Sequence, residues 1–267
     1  MTGRSRGKSG TSGVSESIGF LLIFTIVITG IGLVTLYGYP MLLQQQISAD
    51  EQIMEKNMIV LQNDVKSLAY KTVPYKETAL KVGGGTLTVY NSSSLPSTSS
   101  IKIYDSGTIY VDAFRSGDLM YSSDSTGTDI SLQNGAVVLR LHAEPGSVML
   151  AEPRWFYDSQ TKTMVINLVN ITSITEQSLA GVGTVQMALG ETLYQKTDTP
   201  PLVSPVYFEY TPDPVQDYSI AWDNYFKNTL GMTLISGTPG TGGMVKYQLP
   251  PTTTLVIKQY EVNIRSL

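Results

Sequence analysis

Residues 18–43 read IGFLLIFTIVITGIGLVTLYGYPMLL, and no charged residue occurs between Glu16 and Asp50. With a helical rise of 1.5 Å per residue, residues 18–40 would extend about 33 Å, which is enough to cross a hydrocarbon core of about 30 Å. Backbone groups inside lipid must pair internally, so the segment should be helical. The sequence therefore predicts a transmembrane helix over residues 14–43, with a buried core helix as the alternative.

The residues before this span are basic. Arg4, Arg6 and Lys8 precede it, and positively charged flanks mark the cytoplasmic side of a membrane helix. The apolar run is longer than the roughly 7–15 residues of a cleaved secretory signal, so the helix should stay attached and contact membrane lipid. We expect a single-pass protein of the cell membrane, with its N-terminus in the cytoplasm and everything beyond Leu43 outside the cell.

Beyond the span, apolar residues recur at helical spacing. Pro40 is expected to disturb the helix near the outer membrane face, and Val73-Pro74 should end it at about Tyr70, because a residue before proline avoids the helical region. Residues 44–73 are predicted to form an amphipathic helix whose apolar stripe has a period near 3.5 and packs against a partner helix or domain. A solvated stalk is the alternative. The stripe consists of Ile47, Met54, Met58, Leu61, Val65 and Leu68.

The rest of the chain has the pattern of a β domain. Short apolar or alternating runs are separated by turn-forming clusters such as Gly83-Gly84-Gly85 and residues 117–127. One short helix is predicted over residues 220–230, with Ser219 as its N-cap and Gly231 as a left-handed C-cap. The predicted strands cover residues 85–90, 100–104, 108–114, 136–142, 164–169, 184–189, 206–210, 244–249 and 254–264.

These elements predict an α+β fold, in which a long N-terminal transmembrane and amphipathic helix precedes a mostly antiparallel, sandwich-like extracellular domain. That domain is assigned to residues 74–267. Since its strands and aromatic residues imply a core of their own, we expect residues 78–267 to fold without the helix.

The N-terminal residues carry a family resemblance. Residues 12–19, SGVSESIG, follow a basic leader and precede an apolar helix, and they resemble the class III signal peptide region of archaeal type IV pilins and archaellins. The resemblance implies that a prepilin-type peptidase cuts between Gly13 and Val14 and removes residues 1–13, a basic cytoplasmic leader. Glu16 would then be the third mature residue, whereas bacterial pilins carry their assembly glutamate at the fifth.

The downstream layout is similar to an uncharacterised family of archaeal pilin-like membrane proteins. The similarity lies in the segment GSVMLAEP at residues 146–153, which runs into Phe156-Tyr157, and in the helix at residues 222–231 with the strand pair that follows it. These motifs are structural. The resemblance implies an architecture and brings no biochemical activity with it.

Composition argues against several classes of function. The net charge is −4 and only 15% of residues are charged, so there is no basic surface for nucleic acid. The chain has no cysteine and a single histidine, His142, which is expected to have a structural role at a strand end. No nucleophile-elbow, phosphate-loop or zinc-protease pattern occurs. We therefore expect no enzymatic activity, no cofactor and no metal.

A group of acidic residues lies in a loop-rich stretch. Carboxylate oxygens are ligands for Ca²⁺, but their spacing of five to seven residues matches no known calcium loop, so solvated turn positions are favoured. The group consists of Asp105, Asp112, Asp118, Asp124 and Asp129.

Two further features suit an exported domain. Asn91 and Asn170 each begin an N-glycosylation sequon, and Asn91 is the better acceptor because it opens a serine-rich loop. Several aromatic residues could form a surface that recognises a glycan or an envelope protein, although packing in the core is favoured. These aromatic residues are Trp155, Phe156, Tyr157, Tyr207 and Tyr210.

The sequence thus favours a structural role at the cell surface. We expect a pilin-like subunit, or a minor component, of an extracellular filament or envelope assembly, in which helices of identical or other pilin-like subunits pack through residues 18–68. The alternative is a singly anchored surface module that binds an envelope component or glycan, or mediates adhesion. The residues predicted to make the assembly contacts are Glu16, Met54, Met58, Leu61 and Val65.

Overall fold

The computed structural model describes residues 12–71, 73–92, 99–142, 146–190 and 205–267, with side chains from residue 17 onward. The chain divides into two compact units that part between Ala49 and Asp50. The first unit contains the apolar part of the N-terminal helix. The second contains the amphipathic part of that helix and all the strands.

The N-terminal helix changes its winding shortly before a proline. Helix α1 covers Ser12–Leu33, a π-helical turn covers Val34–Gly38, and helix α2 covers Tyr39–Tyr70. The backbone N–H of Tyr39 donates to the carbonyl oxygen of Val34, five residues back. This wider turn directly precedes Pro40, which has no N–H and whose ring would press on the preceding turn of a regular helix. The predicted end at Tyr70 is confirmed.

Fourteen strands are present in the part of the chain that the structure describes. They are β1 (Tyr75–Tyr90), β2 (Ser100–Tyr104), β3 (Ile109–Arg115), β4 (Asp118–Ser123), β5 (Thr128–Gln133), β6 (Ala136–Leu141), β7 (Ser147–Ala151), β8 (Phe156–Asp158), β9 (Thr163–Ser173), β10 (Ser178–Leu189), β11 (Tyr207–Thr211), β12 (Thr233–Ser236), β13 (Val245–Gln248) and β14 (Thr254–Ser266). A short helix α3 covers Ser219–Asn224 and continues into a π-helical turn over Tyr225–Thr229.

The strands form two sheets. The nine-stranded sheet has the order β7-β6-β5-β4-β1-β10-β14-β9-β8, and the five-stranded sheet has the order β12-β13-β11-β2-β3. All pairings are antiparallel among the described strands except that of β14 with β9, which is parallel. The α+β fold with a mostly antiparallel β domain and one short helix is therefore confirmed.

Alternate residues of the nine-stranded sheet serve two separate cores. Val137 belongs to a buried cluster with Met58 of α2. Its neighbours Ala136 and Val138 belong to another cluster, with Phe208 of the five-stranded sheet and residues of α3. Because successive side chains of a strand point to opposite faces, α2 covers one face of the large sheet, and the small sheet with α3 covers the other. The second unit is thus a three-layered domain.

The glycine triplet lies inside a strand, which corrects its assignment as a turn. A side chain at Gly83 would place its Cβ 2.5 Å from Cγ of Asp50, and one at Gly85 would lie 2.3 Å from the carbonyl oxygen of Ser122. Gly84 has a φ of +68°. Strand β1 therefore continues through the triplet with a bulge, at a place where neighbouring groups leave no room for side chains.

Two other local assignments change. Residues 117–127, expected to be a loop, contain β4, whose hydrogen-bonded partners are β1 and β5. Ser219 does not cap α3, since Tyr218 occupies the cap position without a side-chain hydrogen bond. The Ser219 hydroxyl oxygen instead accepts a 2.7 Å hydrogen bond from the backbone N–H of Gly240. Gly231 has a φ of +69°, as its predicted left-handed conformation requires.

Candidate functional site

The apolar part of the helix is exposed along its length within its own unit. Phe20 is 72% exposed and Leu36 is 70% exposed, and the large apolar residues around them are similarly uncovered. The helix that continues from Ser17 is long and apolar enough to cross a membrane. The structure thus contains one helix that could be a single membrane span.

Two threonines of this segment, Thr25 and Thr35, are satisfied within the helix. The Thr25 hydroxyl donates to the carbonyl oxygen of Leu21 at 2.8 Å, and the Thr35 hydroxyl donates to that of Ile31 at 2.9 Å. Bonds of this kind to the preceding turn remove the need for water as a partner. The threonines are therefore compatible with a hydrocarbon environment.

The predicted cleavage site lies at the margin of the described residues. Gly13 and Val14 are in the first turn of α1 and Glu16 follows that turn, and only the backbone of these three residues is described. Residues 1–11 lie outside the described residues. Cleavage between Gly13 and Val14 and an assembly role for Glu16 stay predictions.

The apolar stripe of α2 is already covered by the chain itself. Met54, Met58 and Leu61 are 0% exposed, and Val65 is 1% exposed. They lie in one cluster with apolar residues of the nine-stranded sheet, together with Leu68. The prediction that this stripe packs is correct, but its assignment to contacts between copies must be corrected, because the partner is the sheet of the same chain.

A polar residue that the sequence analysis passed over fixes α2 to the domain. Gln62 is 1% exposed, and its Nε2 lies 2.7 Å from the carbonyl oxygen of Gly135, 2.9 Å from that of Glu152 and 3.3 Å from that of Ala151. In the sequence, a glutamine that faces water cannot be distinguished from one that faces a sheet. Only its spacing hinted at burial, because Gln62 follows Met58 by four residues and precedes Val65 by three, which places it on the helix face of the stripe.

Neither sequon presents a fully free side chain. The Asn91 Nδ2, the atom to which a glycan would be attached, donates a 2.8 Å hydrogen bond to the carbonyl oxygen of Ser173. Asn170 lies inside β9, and its side-chain oxygen is buried without a hydrogen-bond partner. A glycan at Asn91 would have to replace the bond to Ser173, so glycosylation at either position stays a prediction that the geometry does not favour.

The five aromatic candidates differ in burial, and two of them are buried in the core. Trp155 and Tyr210 are buried, and the Trp155 ring stacks on that of Phe226 with centroids 6.1 Å apart. The indole N–H of Trp155 donates to the carbonyl oxygen of Asn167 at 2.6 Å. Tyr157 and Tyr207 are half-buried, and Phe156 is 49% exposed. These residues therefore do not form one continuous recognition surface.

The acidic residues are dispersed and not all of them are solvated. No group of three or more histidine, aspartate or glutamate side chains suited to a metal exists among the described residues. Asp105 accepts hydrogen bonds from the backbone N–H groups of Gly107 and Thr108, which is the expected turn role. Asp129 contradicts the expectation of solvation, because it is buried within β5.

Asp129 joins a hydroxyl and an imidazole. Its Oδ1 accepts from the Ser122 hydroxyl at 2.7 Å, and its Oδ2 lies 2.7 Å from Nε2 of His142. A nucleophile needs a base within hydrogen-bond reach. Here each group bonds to the carboxylate between them, and the contacts hold the ends of neighbouring strands together.

Asp118 also departs from the expected solvated turn. It begins β4, and its Oδ2 accepts from the Ser131 hydroxyl at 2.9 Å. Burial raises the pKa of this carboxyl to about 7, an effect that the Ser131 hydrogen bond opposes and the nearby Asp213 and Asp129 reinforce. Asp118 lines a cavity of about 170 Å³ between the large sheet and the segment that contains Asp213.

One family of proteins matches the chain. The family model matches residues 13–265, and its description is a family of unknown function (DUF7289). No curated protein matches, and no solved structure matches.

Proposed function

The chain belongs to this family of unknown function, DUF7289, and from its geometry we propose that it is a membrane-anchored, pilin-like protein of the cell surface with a structural role. In this proposal the N-terminus is cytoplasmic and the β domain is extracellular. The protein is a subunit or a minor component of a filament or envelope assembly, and a prepilin-type peptidase removes its leader.

The observation that carries the proposal is the contrast between two parts of one helix. Residues 18–43 are apolar and exposed, whereas the stripe from Met54 to Leu68 is buried. An exposed apolar surface of this size is unstable in water and stable in lipid. The sequence resemblance to the pilin signal region, the basic leader and the single apolar span point to the same architecture.

The buried stripe restricts where neighbouring copies could meet. Since Met54, Met58, Leu61 and Val65 are occupied within the chain, the proposal places helix contacts between copies on the exposed apolar residues 18–43. Positions for a Cβ at Gly30 and Gly32 have no atom within 4 Å, so a partner helix could approach closely there. Small residues allow such close packing inside membranes.

Orientation can be tested with single cysteines, because the chain has none of its own. We expect a membrane-impermeant maleimide to label Thr238→Cys, at an exposed loop position, in intact cells. Ser15→Cys, which precedes the apolar span and stays on the chain after the proposed cleavage, should react only after lysis. The reverse pattern would reject the proposed orientation, and labelling of both sites in intact cells would reject a single membrane crossing.

Assembly can be tested with cysteines in the apolar segment. Disulfide crosslinking in native membranes should give dimers for a subset of positions between residues 18 and 43 that recur at helical spacing. Ile174→Cys is the control, because Ile174 is 89% exposed and lies in the β domain. If all positions in the segment stay monomeric, the protein is a singly anchored module.

The singly anchored binding module is the second candidate. The cavity at Asp118 favours it, since a partly open cavity with polar side chains in its lining offers space for a ligand. The two candidates share the anchor and differ in whether the membrane helices associate and whether the domain holds a ligand.

A further inference from the structure

A groove of about 770 Å³ lies on the large sheet beside the end of α2. Three strands contribute one residue each to its floor, because Val165 of β9 pairs with Phe156 of β8 on one side and with Val256 of β14 on the other. Val169, further along β9, belongs to the core under α2. Alternate residues of a strand share a face, so α2 covers this face at Val169 and leaves it open at Val165.

The lining of this groove combines apolar surface with two cationic side chains. Arg154 and Lys258 line it, and neither forms a salt bridge with any described residue. The guanidinium of Arg154 lies over the ring of Tyr70, 5.0 Å from its centroid, and this contact holds the charge at the groove. The described lining contains no aspartate or glutamate. The groove therefore suits an apolar group that is accompanied by a negative charge.

A loop at the far end of β9 has the complementary character. It connects β9 with β10 and presents Ile174, which is 89% exposed, the largest value for a large apolar residue in the described part of the chain. Glu176, two residues later, is exposed as well. An isoleucine that is this exposed would gain from burial against another surface, and the loop offers it together with a carboxylate.

Hydrogen bonds fix the conformation of this loop. The Ser173 hydroxyl donates to the carbonyl oxygen of Thr175 at 2.8 Å, and Nε2 of Gln177 donates to the Ser173 hydroxyl oxygen at 3.0 Å. Oε1 of Gln177 accepts from the backbone N–H of Leu267 at 2.9 Å, which ties the loop to the end of β14. A loop that is already ordered loses little conformational entropy when it binds.

The loop and the groove cannot meet within one copy of the chain. Strands β9 and β14 are parallel, and the groove lies at their N-terminal ends, whereas the loop follows the C-terminal end of β9. Val165 and Ile174 are nine residues apart. At about 3.3 Å per residue this separation is about 30 Å. A second copy is therefore the source that brings such a loop to the groove.

We propose that the groove receives the loop of a second copy, with Ile174 against the floor and Glu176 beside the two cationic side chains. Loop and groove are different surfaces, so each paired copy keeps one of them free and the contact can repeat from copy to copy. This inference rests on the proposed assembly and gives it a contact between β domains. The tip of one loop buries much less than the roughly 1,200–2,000 Å² of a stable interface, so the contact acts together with the membrane helices.

The test mixes two single-cysteine variants of the full chain in an uncharged detergent, each variant with its own affinity tag. A short bismaleimide should join Val256→Cys copies to Ile174→Cys copies in dimers that carry both tags. Either variant alone should stay monomeric, because two loops or two grooves do not meet in this arrangement. In the control Val182→Cys replaces Ile174→Cys, since Val182 is 80% exposed on β10, and it should give at least about tenfold fewer mixed dimers.

Charge reversal tests the complementarity. Glu176→Lys, added to the Ile174→Cys copy, should lower the yield of mixed dimers about fivefold, because attraction to the cationic side chains becomes repulsion. Lys258→Glu in the partner copy should restore most of that yield. Since Glu176 is exposed, its replacement should leave the fold intact.

Mixed dimers no more abundant than in the Val182→Cys control would overturn the inference, and so would a yield that charge reversal leaves unchanged. In either case the groove would be a site for a molecule other than this chain. If cysteines within residues 18–43 crosslink while loop and groove do not, assembly stands and only this contact is rejected. Mixed dimers without crosslinks in residues 18–43 would instead support this contact and reject the packing of the membrane helices.

Discussion

Burial disfavours the charged form of the Asp118 carboxyl group. Burial raises its pKa in the folded chain to about 7, above the value near 3.9 of an unfolded aspartate. Between about pH 4 and pH 7 the folded chain therefore keeps a proton that the unfolded chain has released. The contribution of Asp118 to stability is present in full below pH 4, falls as the pH rises through this window, and is lost above pH 7.

Asp118→Asn should remove this pH dependence. The variant should melt higher than the wild type at pH 8, and the difference should shrink as the pH falls to 4. Near-UV circular dichroism of the full chain in detergent would follow the melting. Asp112→Asn is the control, because the side chain of Asp112 is 71% exposed. A constant difference between wild type and Asp118→Asn across this range would contradict the assignment.

The residues of the cavity show what sequence reasoning can reach at this scale. Asp118 was found as an acid, but its neighbouring glycine and serine residues favoured a solvated turn. Gln133 and Tyr218 gave no signal, because the identity of a polar residue does not reveal whether water or protein surrounds it. Their surroundings in the cavity include residues distant in sequence, since Asp213 lies 80 residues after Gln133 and Asp118 lies 100 residues before Tyr218.

At the scale of elements, α2 is part of the core of the β domain. Met58→Glu combined with Leu61→Glu would place two charges among apolar side chains of the sheet, at a cost of several kcal/mol. We expect the β domain to unfold in this variant, as measured by lost near-UV circular dichroism and gained protease sensitivity. A domain that melts like the wild type would show that the stripe is dispensable for folding.

The same helix offers its own control. Ile53 and Val60 are 44% and 48% exposed, so Ile53→Glu with Val60→Glu adds the same charges on the uncovered side. This pair should leave the free energy of unfolding within about 1 kcal/mol of the wild-type value.

Because α2 is part of the core, residues 78–267 without α2 should not reach a stable fold. This expectation revises the one drawn from the sequence.

Element prediction succeeded where one face of the element is polar. Alternating runs located β2, β9, β11 and β14, and the proline at residue 74 located the end of α2. Strand β5 was not predicted, although residues 129–133 alternate between polar and apolar side chains, and all six of its residues are buried in the structure. The stripe was visible, but periodicity identifies an apolar face and does not identify what covers it.

At the scale of the whole molecule, β14 connects the two cores. It lies between β10 and β9 in the large sheet. Leu255 and Ile257 belong to the core shared with the small sheet, and Val262 and Ile264 belong to the core under α2. Damage to this one strand should therefore weaken all three layers.

A proline in β14 tests this role. Gln259 is paired with Leu168 of β9, and Gln259→Pro should destabilise the domain by about 3 kcal/mol or more, because a central strand loses a ladder hydrogen bond. Ser236→Pro is the control, since Ser236 is exposed on the edge strand β12. Urea unfolding of both variants measures the difference. Equal midpoints would show that β14 is not central to stability.

The position of β14 also sets the order of events during synthesis. It follows all the other described strands in the chain, so the ribosome makes it after β9 and β10, between which it must insert. At roughly 5–20 residues per second, several seconds pass in which those two strands have open edges. Open edges pair with other chains. Copies that are synthesised side by side on one membrane would therefore be able to pair their open strand edges with one another until β14 has been made.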